Sequence, residues 1–398
     1  MNFQNKNTED KLVYILIFLL GSIAVTLYIP VIKEVLSETG HHDFQWSPSK
    51  IVFERINHYS YMLEGKTEKI LMSQYGEYLH GLYILFFPYT LLEWNIAKIS
   101  WMITNIFLLI YIPLMLCRKF LLSKTYTILI IFFFSSCIVS KVQIITGQQS
   151  LLILFFLFFP FVKNLKLNLF LSGISYFKYT IGYSLFFFYL TKKKYKSALL
   201  SILPFFFGWI IYTFITKSNL IDTFFQPFQL AVENQLIGET VNNMPKNKFI
   251  FSVLENINYF NFQFKSIIFL VLSLMLNIYF IFKISKLDDK LLQLSCLTLS
   301  TLIFFPHYPH DYVLLLPSLI YSVKNFHELY SKIAILIIIY FLQFFKGFKL
   351  YTIKILNYMN VSADSINFAE YLISYMNILI LFSLLIAFIY RAKKYEQV

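Results

Sequence analysis

The side chains best suited to chemistry in this sequence are one carboxylate and a small set of groups that can carry positive charge. Asp43 offers a carboxylate that can deprotonate a hydroxyl group. Lys178, His307 and His310 can hold a phosphate and stabilise the charge that grows on it as it leaves. Displacement of a phosphate from the anomeric carbon of a sugar uses both kinds of group and inverts that carbon. We therefore predict Asp43 as a general base and the other three side chains as contacts for a sugar phosphate, with no metal or cofactor required.

A further set of polar residues accompanies these groups. Tyr75, Tyr78 and His80 lead into a short apolar stretch, and Gln148 precedes a long one. In the topology derived below, all four reach the same side of a membrane as Asp43. We therefore predict them as substrate-binding residues.

Each of these residues also has an ordinary structural interpretation. Asp43 can be a loop carboxylate without a catalytic role, and Lys178 can extend its ammonium group to the lipid headgroups. His307 and His310 can form a hydrogen-bonded turn in which Asp311 caps the next helix. The sequence leaves both interpretations open.

The elements that must position these groups are membrane-spanning helices. Of the 398 residues, 58% are hydrophobic and only 14% are charged. Helical runs of about 20 apolar residues are long enough to cross a bilayer, and several are present. The sequence therefore predicts an all-α polytopic membrane protein and excludes a soluble one. Spans are predicted near 12–31, 99–116, 125–140, 149–163, 197–216, 265–283, 291–305, 311–323, 331–347 and 373–390.

Two apolar stretches do not fit a single continuous membrane-spanning helix. The stretch 167–191 is interrupted by Lys178, and as one helix it would place the lysines at 192–194 outside, against the preference of basic loops for the cytoplasm. Two short helices that meet near Lys178 avoid this conflict. The stretch 79–92 contains Pro88 and is short, so we predict a re-entrant or interfacial piece. These choices give about twelve spans and cytoplasmic termini.

The distribution of charge fixes the predicted orientation. Nineteen basic and six acidic residues lie on the cytoplasmic side and supply the whole formal charge of +13, whereas fifteen of each sign cancel on the other side. This asymmetry is typical of a multi-pass protein of the plasma (inner) membrane. It gives no support to nucleic-acid binding, and it places the predicted active site externally.

The chain is predicted to form a single membrane domain over 1–398. Within its first external loop, Ser47 and Pro48 are typical of a helix start, and the pattern that follows predicts an amphipathic helix over 48–63 lying on the membrane surface. The external segments are predicted at 32–98, 217–264 and 348–372.

Signatures of metal, redox and nucleotide sites are absent from the sequence. It contains no CxxC, HExxH, P-loop or GxGxxG motif. Cys117, Cys137 and Cys296 lie within or at the ends of predicted spans, and an odd number of cysteines cannot form a closed disulfide set. We therefore predict no metal site.

The motifs follow one another in a characteristic order over roughly residues 12–325. In chain order they are Asp43 with the helix 48–63, the Tyr-rich stretch from Tyr75 to Pro88, Gly147-Gln148 before an apolar span, the small-residue stretch from Ser172 to Tyr179 with the basic turn 192–196, and the turn from His307 to Leu316. This order resembles the polytopic glycosyltransferases of the C-type superfamily (GT-C), and most closely family 87, the polyprenol-phosphate-mannose-dependent type.

The resemblance implies a membrane hexosyltransferase with Asp43 as base and with Lys178 and His310 at the donor phosphate. Its implied donor is a polyprenyl-phosphate sugar, mannose-like, and its acceptor is a hydroxyl of a glycan or glycolipid. One alternative is a transporter or flippase of lipid-linked sugars, which would place polar groups near the midplane of several, often discontinuous, helices. Another is a polymerase or ligase of lipid-linked glycans, for which an Arg- and His-rich later loop is expected; the loop 217–264 contains neither residue.

Overall fold

Helices make up all the regular structure in the part of the chain that the structure describes. In this computed structural model the described residues are 3–37, 44–71, 78–162, 166–241, 262–305, 307–359 and 362–395. The all-α prediction is confirmed for these residues.

The described residues form nineteen α-helices, two 3-10 segments and one π-helical turn. In chain order the α-helices are α1 Phe3–Leu36, α2 Trp46–Phe53, α3 His58–Leu63, α4 Gly81–Leu85, α5 Phe87–Thr90, α6 Trp94–Lys119, α7 Lys124–Ser136, α8 Ile138–Ile145, α9 Ser150–Val162, α10 Lys166–Ser172, α11 Tyr179–Thr191, α12 Tyr195–Thr216, α13 Leu220–Val241, α14 Phe262–Ile284, α15 Lys290–Phe304, α16 Leu316–Lys324, α17 Leu329–Ile339, α18 Phe345–Tyr358 and α19 Ala363–Tyr395. The 3-10 segments are Gly173–Phe177 and Pro309–Leu315, and the π-helical turn is Tyr340–Phe344.

Three described helical segments are long and apolar enough to cross a membrane: Val13–Leu36, Trp94–Lys119 and Tyr195–Thr216. Helices α7 and α8 form a fourth if they count as one span, although they bend by 52° at their junction. The remaining apolar helices of the described residues, such as α9 and α15, are shorter. The structure therefore supports a membrane-embedded helical protein, and the count of about twelve crossings stays a prediction.

The outer faces of the long helices carry large apolar side chains. Phe18 on α1 is 73% exposed and Phe214 on α12 is 83% exposed. Water disfavours such a surface, whereas lipid tails solvate it. These faces agree with a bilayer environment for both helices.

The predicted interruption of the stretch 167–191 is confirmed. Lys178 lies between the 3-10 segment Gly173–Phe177 and α11, and its backbone has the non-helical angles φ −104° and ψ 85°. Close backbone packing surrounds this break, because a Cβ on Gly182 would lie 2.4 Å from the backbone of Ser175. No side chain fits there, so α11 packs directly against the 3-10 segment.

The single amphipathic helix predicted over 48–63 is wrong. Two short helices, α2 and α3, replace it, and the turn between them contains Arg55 in the left-handed region at φ 63°. Asn57 starts α3 by accepting hydrogen bonds at its Oδ1 from the backbone N–H groups of the second and third residues that follow it, at 3.1 and 3.3 Å. No glycine or proline marks this turn, which is why the sequence pattern does not predict it.

The start of α2 also differs from the prediction. The N-cap position is occupied by Gln45 and not by Ser47, and no side chain caps it. The Ser47 hydroxyl instead accepts a hydrogen bond from the Leu71 backbone N–H at 3.2 Å. Apart from Lys50 and Phe53, the residues of α2 are buried, so this helix packs into the protein on most of its circumference.

The stretch 79–92 forms no continuous helix and therefore no helical span. It contains only the five-residue α4 and the four-residue α5. Helix α4 meets α12 at two glycines, since a Cβ on Gly208 would lie 2.5 Å from the Cα of Gly81. This backbone-to-backbone approach joins the first predicted external loop to α12.

The later predicted segments are divided differently from the prediction. The predicted span 311–323 begins as the 3-10 segment Pro309–Leu315 and only then becomes α16, while 331–347 comprises α17, the π-helical turn and the start of α18. Helix α13 occupies much of the predicted loop 217–264, whose residues 242–261 lie outside the described residues. Helices α18 and α19 cover most of 348–372.

Candidate functional site

A buried group of polar side chains joins three distant parts of the chain. Lys178 Nζ donates to Asp311 Oδ1 at 2.6 Å and to Ser150 Oγ at 2.9 Å. Ser150 Oγ also donates to Asp311 Oδ1. The Lys178 and Asp311 side chains are only 10% and 2% exposed. We call Ser150, Lys178, His307, His310 and Asp311 the Lys178–Asp311 cluster.

His307 lies between two acceptors. Its Nδ1 is 3.0 Å from Asp311 Oδ2, and its Nε2 is 3.1 Å from the carbonyl oxygen of Thr301. The Thr301 carbonyl also accepts the hydrogen bond of the Phe305 backbone N–H at 3.2 Å, so it is satisfied without His307. His307 therefore links the carboxylate of Asp311 to the last turn of α15.

His310 completes the cluster on its more open side. Its Nε2 is 3.7 Å from Asp311 Oδ1, which is ion-pair range but longer than a hydrogen bond. The ring stacks on Tyr308 with centroids 5.5 Å apart and planes 17° from parallel. Because Tyr308 is 40% exposed, this pair of rings connects the buried cluster with the surface.

Two predicted substrate-binding residues lie beside Lys178. The ammonium group of Lys178 is 5.9 Å from the centroid of the Tyr78 ring, within the range of a cation–π contact. Tyr78 Oη donates a long hydrogen bond of 3.3 Å to Gln148 Oε1, and the Gln148 carbonyl accepts from Gln143 Nε2 at 2.5 Å. The structure therefore brings Tyr78 and Gln148 to the same group as Lys178, His307 and His310.

Interrupted helices position the cluster. Lys178 lies at the break between a 3-10 segment and α11, and Asp311 lies in the 3-10 segment that precedes α16. Ser150 is the first residue of α9 and follows a turn in which Gly147 has φ +60°. At such breaks the chain changes direction, so side chains from separate helices can point toward one another.

His80 belongs to a second, aromatic group. Its Nε2 donates to the carbonyl oxygen of Thr223 at 2.8 Å, and its ring contacts Tyr59 and Tyr212 at centroid distances of 5.1 and 4.9 Å. His80 is 1% exposed, and its Nδ1 has no hydrogen-bond partner among the described residues. Burial lowers the pKa of His80 to about 4, so this ring is neutral at ordinary pH.

Two of the predicted site residues, Asp43 and Tyr75, lie outside the described residues. The residue that follows Asp43 is described: the Phe44 carbonyl accepts a hydrogen bond from Gln149 Nε2 at 2.9 Å. The Phe44 ring stacks on Trp101 with centroids 5.5 Å apart. Phe44 is thus fixed beside the residue that immediately precedes Ser150 of the cluster.

Two members of the cluster were not predicted as site residues. They are Ser150 and Asp311, and the sequence suggests for Asp311 only the role of a helix cap. The cap interpretation of Asp311 is wrong, because its side chain binds Lys178, Ser150 and His307 and caps no helix. The sequence signal for such a carboxylate is the position of Lys178 in an apolar stretch, because a buried ammonium group needs an acidic partner.

The described residues contain no group of three or more His, Cys, Asp or Glu side chains arranged to hold a metal ion. The described cysteines are free and buried. Within the cluster, the ammonium group of Lys178 and two imidazole rings surround the single carboxylate of Asp311. The ammonium group of Lys178 and the N–H groups of the histidines are donors that can bind an anion.

Comparison of the chain with known protein families, with curated proteins and with solved structures finds no match.

Proposed function

We propose that the protein is a membrane glycosyltransferase that transfers a hexose, mannose-like, from a polyprenyl-phosphate sugar to an acceptor hydroxyl of a glycan or glycolipid. The observation that carries this proposal is the convergence of Lys178, His307 and His310 on one carboxylate, with Tyr78 and Gln148 next to them. The sequence predicts these residues as contacts for a sugar phosphate and its substrate, although they lie far apart along the chain.

The hydrogen-bond donors of the cluster suit a phosphate leaving group. In the structure Asp311 compensates Lys178, so a bound phosphate would share Lys178 and His307 with this carboxylate. As the bond from the anomeric carbon to the phosphate oxygen breaks, the oxygen gains negative charge, and nearby cations stabilise it. His310 is a suitable first contact, because its stacking partner Tyr308 is exposed.

The proposed reaction is a single displacement. Asp43 takes the proton of the acceptor hydroxyl, the acceptor oxygen bonds to the anomeric carbon, and polyprenyl phosphate leaves with the electron pair of the broken bond. The configuration at the anomeric carbon inverts. The anchor of Phe44 on Gln149, one residue before Ser150, supports the choice of Asp43 as base.

The proposal includes the orientation predicted from charge: about twelve crossings, cytoplasmic termini and an external site in the plasma membrane. It can be tested by single-cysteine labelling with a membrane-impermeant maleimide, because the native cysteines are buried. Glu64→Cys, in the predicted external loop, is expected to react in intact cells, and Lys193→Cys only after permeabilisation. The reverse pattern would contradict the proposed orientation.

Sugar transfer can be measured with membranes that contain the protein and a radiolabelled polyprenyl-phosphate mannose. The expected result is a labelled glycolipid or glycan product from the unaltered protein and none from Asp43→Asn. The matched control is Glu64→Gln, which removes an exposed carboxylate of the same predicted loop. It is expected to retain activity, and both variants should keep the melting temperature of the parent.

Three results would count against parts of this proposal. Full transfer by Asp43→Asn would remove Asp43 from the mechanism, while loss of transfer in Glu64→Gln as well would point to a general defect of the loop. The absence of product from any polyprenyl-phosphate hexose, with well-folded protein, would remove the glycosyltransferase assignment.

One observation favours a second candidate, a transporter or flippase of lipid-linked sugars. The Lys178–Asp311 pair lies at breaks in two helical regions, and discontinuous helices with ionisable groups are typical of transporters. Proteoliposomes distinguish the two functions. A flippase would move a lipid-linked sugar between leaflets and leave its covalent structure unchanged, whereas the proposed enzyme would release polyprenyl phosphate.

A further inference from the structure

An open groove of about 850 Å³ lies where the first predicted external loop meets the end of α12. It shares no lining residue with the Lys178–Asp311 cluster. Its volume is comparable to that of pockets for small amphiphilic ligands. The lining residues are Phe53, Arg55, Phe87, Ile210, Thr213, Phe214, Ile215, Lys217, Ser218 and Leu220.

The walls of the groove are apolar and continue the outer surface of a membrane span. Ile210 and Phe214 belong to the candidate span Tyr195–Thr216 and are 50% and 83% exposed. Phe87 and Leu220 add further exposed apolar surface. An apolar surface on the flank of a membrane helix is in contact with lipid tails, so the apolar part of a ligand here is an acyl chain.

The polar rim of the groove is cationic. Arg55 and Lys217 line it, and no acidic residue does. The neighbouring Glu54 is paired with Lys69 at 2.5 Å, so its charge is already compensated. Lys217 directly follows the last residue of the candidate span, which is the level at which lipid headgroups meet a membrane helix.

Both cationic residues have an unusual backbone. Arg55 has φ 63° and Lys217 has φ 52°, in the left-handed region that glycine adopts most readily. Arg55 follows α2, and Lys217 is the C-cap of α12, where glycine is the common residue. A long cationic side chain at either position makes the left-handed backbone less favourable than glycine would. Glycine therefore removes the charge at each position without straining the backbone.

We propose that this groove binds an anionic glycerophospholipid of the surrounding bilayer. The lipid phosphate lies between Arg55 and Lys217, and one acyl chain lies along Phe87, Ile210 and Phe214. Basic residues close to a bilayer surface attract anionic headgroups. The site is independent of the proposed sugar transfer, since it rests on different residues.

Trp209 provides a local readout. Its Nε1 donates to the carbonyl oxygen of Leu220, a lining residue of the groove, at 3.1 Å. Bromine atoms on a lipid chain quench nearby tryptophan fluorescence. We would reconstitute the protein and Trp209→Phe in vesicles of phosphatidylcholine with increasing brominated phosphatidylglycerol or brominated phosphatidylcholine. The difference between the two proteins gives the signal of Trp209.

The expected result is that brominated phosphatidylglycerol quenches Trp209 at a lower mole fraction than brominated phosphatidylcholine. The preference should fall about fivefold for each cation removed and disappear in Arg55→Gly/Lys217→Gly. The matched control is Lys193→Gly, which removes an exposed lysine that also has positive φ, at 56°, beyond the other end of α12. It should leave the preference unchanged.

Three outcomes would overturn the inference. They are equal quenching by the two lipids, a preference that survives in Arg55→Gly/Lys217→Gly, and relief of quenching by polyprenyl phosphate, which would assign the groove to a different lipid. If the glycine variant fails to fold, Arg55→Asn/Lys217→Asn replaces it, because asparagine also tolerates the left-handed region. A preference for phosphatidylglycerol that survives in that variant would likewise overturn the inference.

Discussion

Replacement of Asp311 by Asn is the most direct test of the Lys178–Asp311 cluster. The substitution keeps the size of the side chain and removes its negative charge. Lys178, Ser150 and His307 would lose the carboxylate that each of them binds. The ammonium of Lys178 would then be buried without an opposite charge.

The expected loss of stability follows from burial. The side chains of Lys178 and Asp311 are 10% and 2% exposed, so solvent screens the pair very little. Removal of one partner from a buried ion pair costs about 3–5 kcal/mol, because the other charge stays desolvated. We expect a destabilisation of this size for Asp311→Asn, and a similar one for Lys178→Met, which leaves a buried carboxylate facing His307.

A surface pair provides the matched control. Lys69 and Glu54 are 2.5 Å apart, almost the same separation, but their side chains are 45% and 40% exposed. Exposed pairs contribute little to stability because water screens them. Glu54→Gln should therefore shift the melting temperature of the detergent-solubilised protein only slightly, whereas Asp311→Asn should lower it clearly.

The double variant Lys178→Met/Asp311→Asn separates the loss of the ion pair from general damage. Because it removes both buried charges, it should be more stable than the sum of its single substitutions predicts. The reasoning is refuted if Asp311→Asn has the same melting temperature as Glu54→Gln and the parent protein. It is also refuted if the effects of the two single substitutions simply add.

Two further predictions concern packing and pH. Gly208→Ala should destabilise the protein by about 1–3 kcal/mol, because its Cβ would lie 2.5 Å from Gly81, whereas Gly21→Ala, with nothing within 4 Å, should be neutral or slightly stabilising in thermal melts. Burial lowers the pKa of His80 to about 4, whereas the unfolded ring titrates at about 6.5. Protonation below pH 6.5 therefore favours the unfolded state, and the free energy of unfolding falls by about 3 kcal/mol as the pH falls from 6.5 to 4. His80→Gln should therefore show a weaker acid dependence of the melting temperature than the parent, whereas His327→Gln, at an exposed position, should match the parent; equal curves for all three would contradict this account.

The sequence predicts the coarse architecture and part of the site for identifiable reasons. Apolar runs predict the helices of the long spans, and the lysines at 192–194 predict the break at Lys178, because a continuous helix would put them on the wrong side. The gathering of Lys178 with His307 and His310 also follows from their predicted common side of the membrane. These predictions depend on hydropathy and charge, which local sequence displays.

The features that the sequence does not predict depend on tertiary structure. Lys178 and Asp311 are 133 residues apart, so their pairing has no local pattern, and Asp311 by itself resembles a helix cap. The turn at Arg55 has no glycine to mark it. The bend between α7 and α8 and the 3-10 segment before α16 likewise lie within apolar runs that hydropathy treats as continuous.

The long separation between Lys178 and its carboxylate partner has a consequence for biosynthesis. A ribosome adds about 5–20 residues per second, so roughly ten seconds pass between the synthesis of Lys178 and that of Asp311. During this interval the ammonium group has no native counter-ion and is costly to insert in lipid. The nascent chain must keep it near the headgroups or within the insertion machinery until the second half arrives. A chain truncated before Asp311 is therefore expected to be recognised by membrane quality control and degraded rapidly.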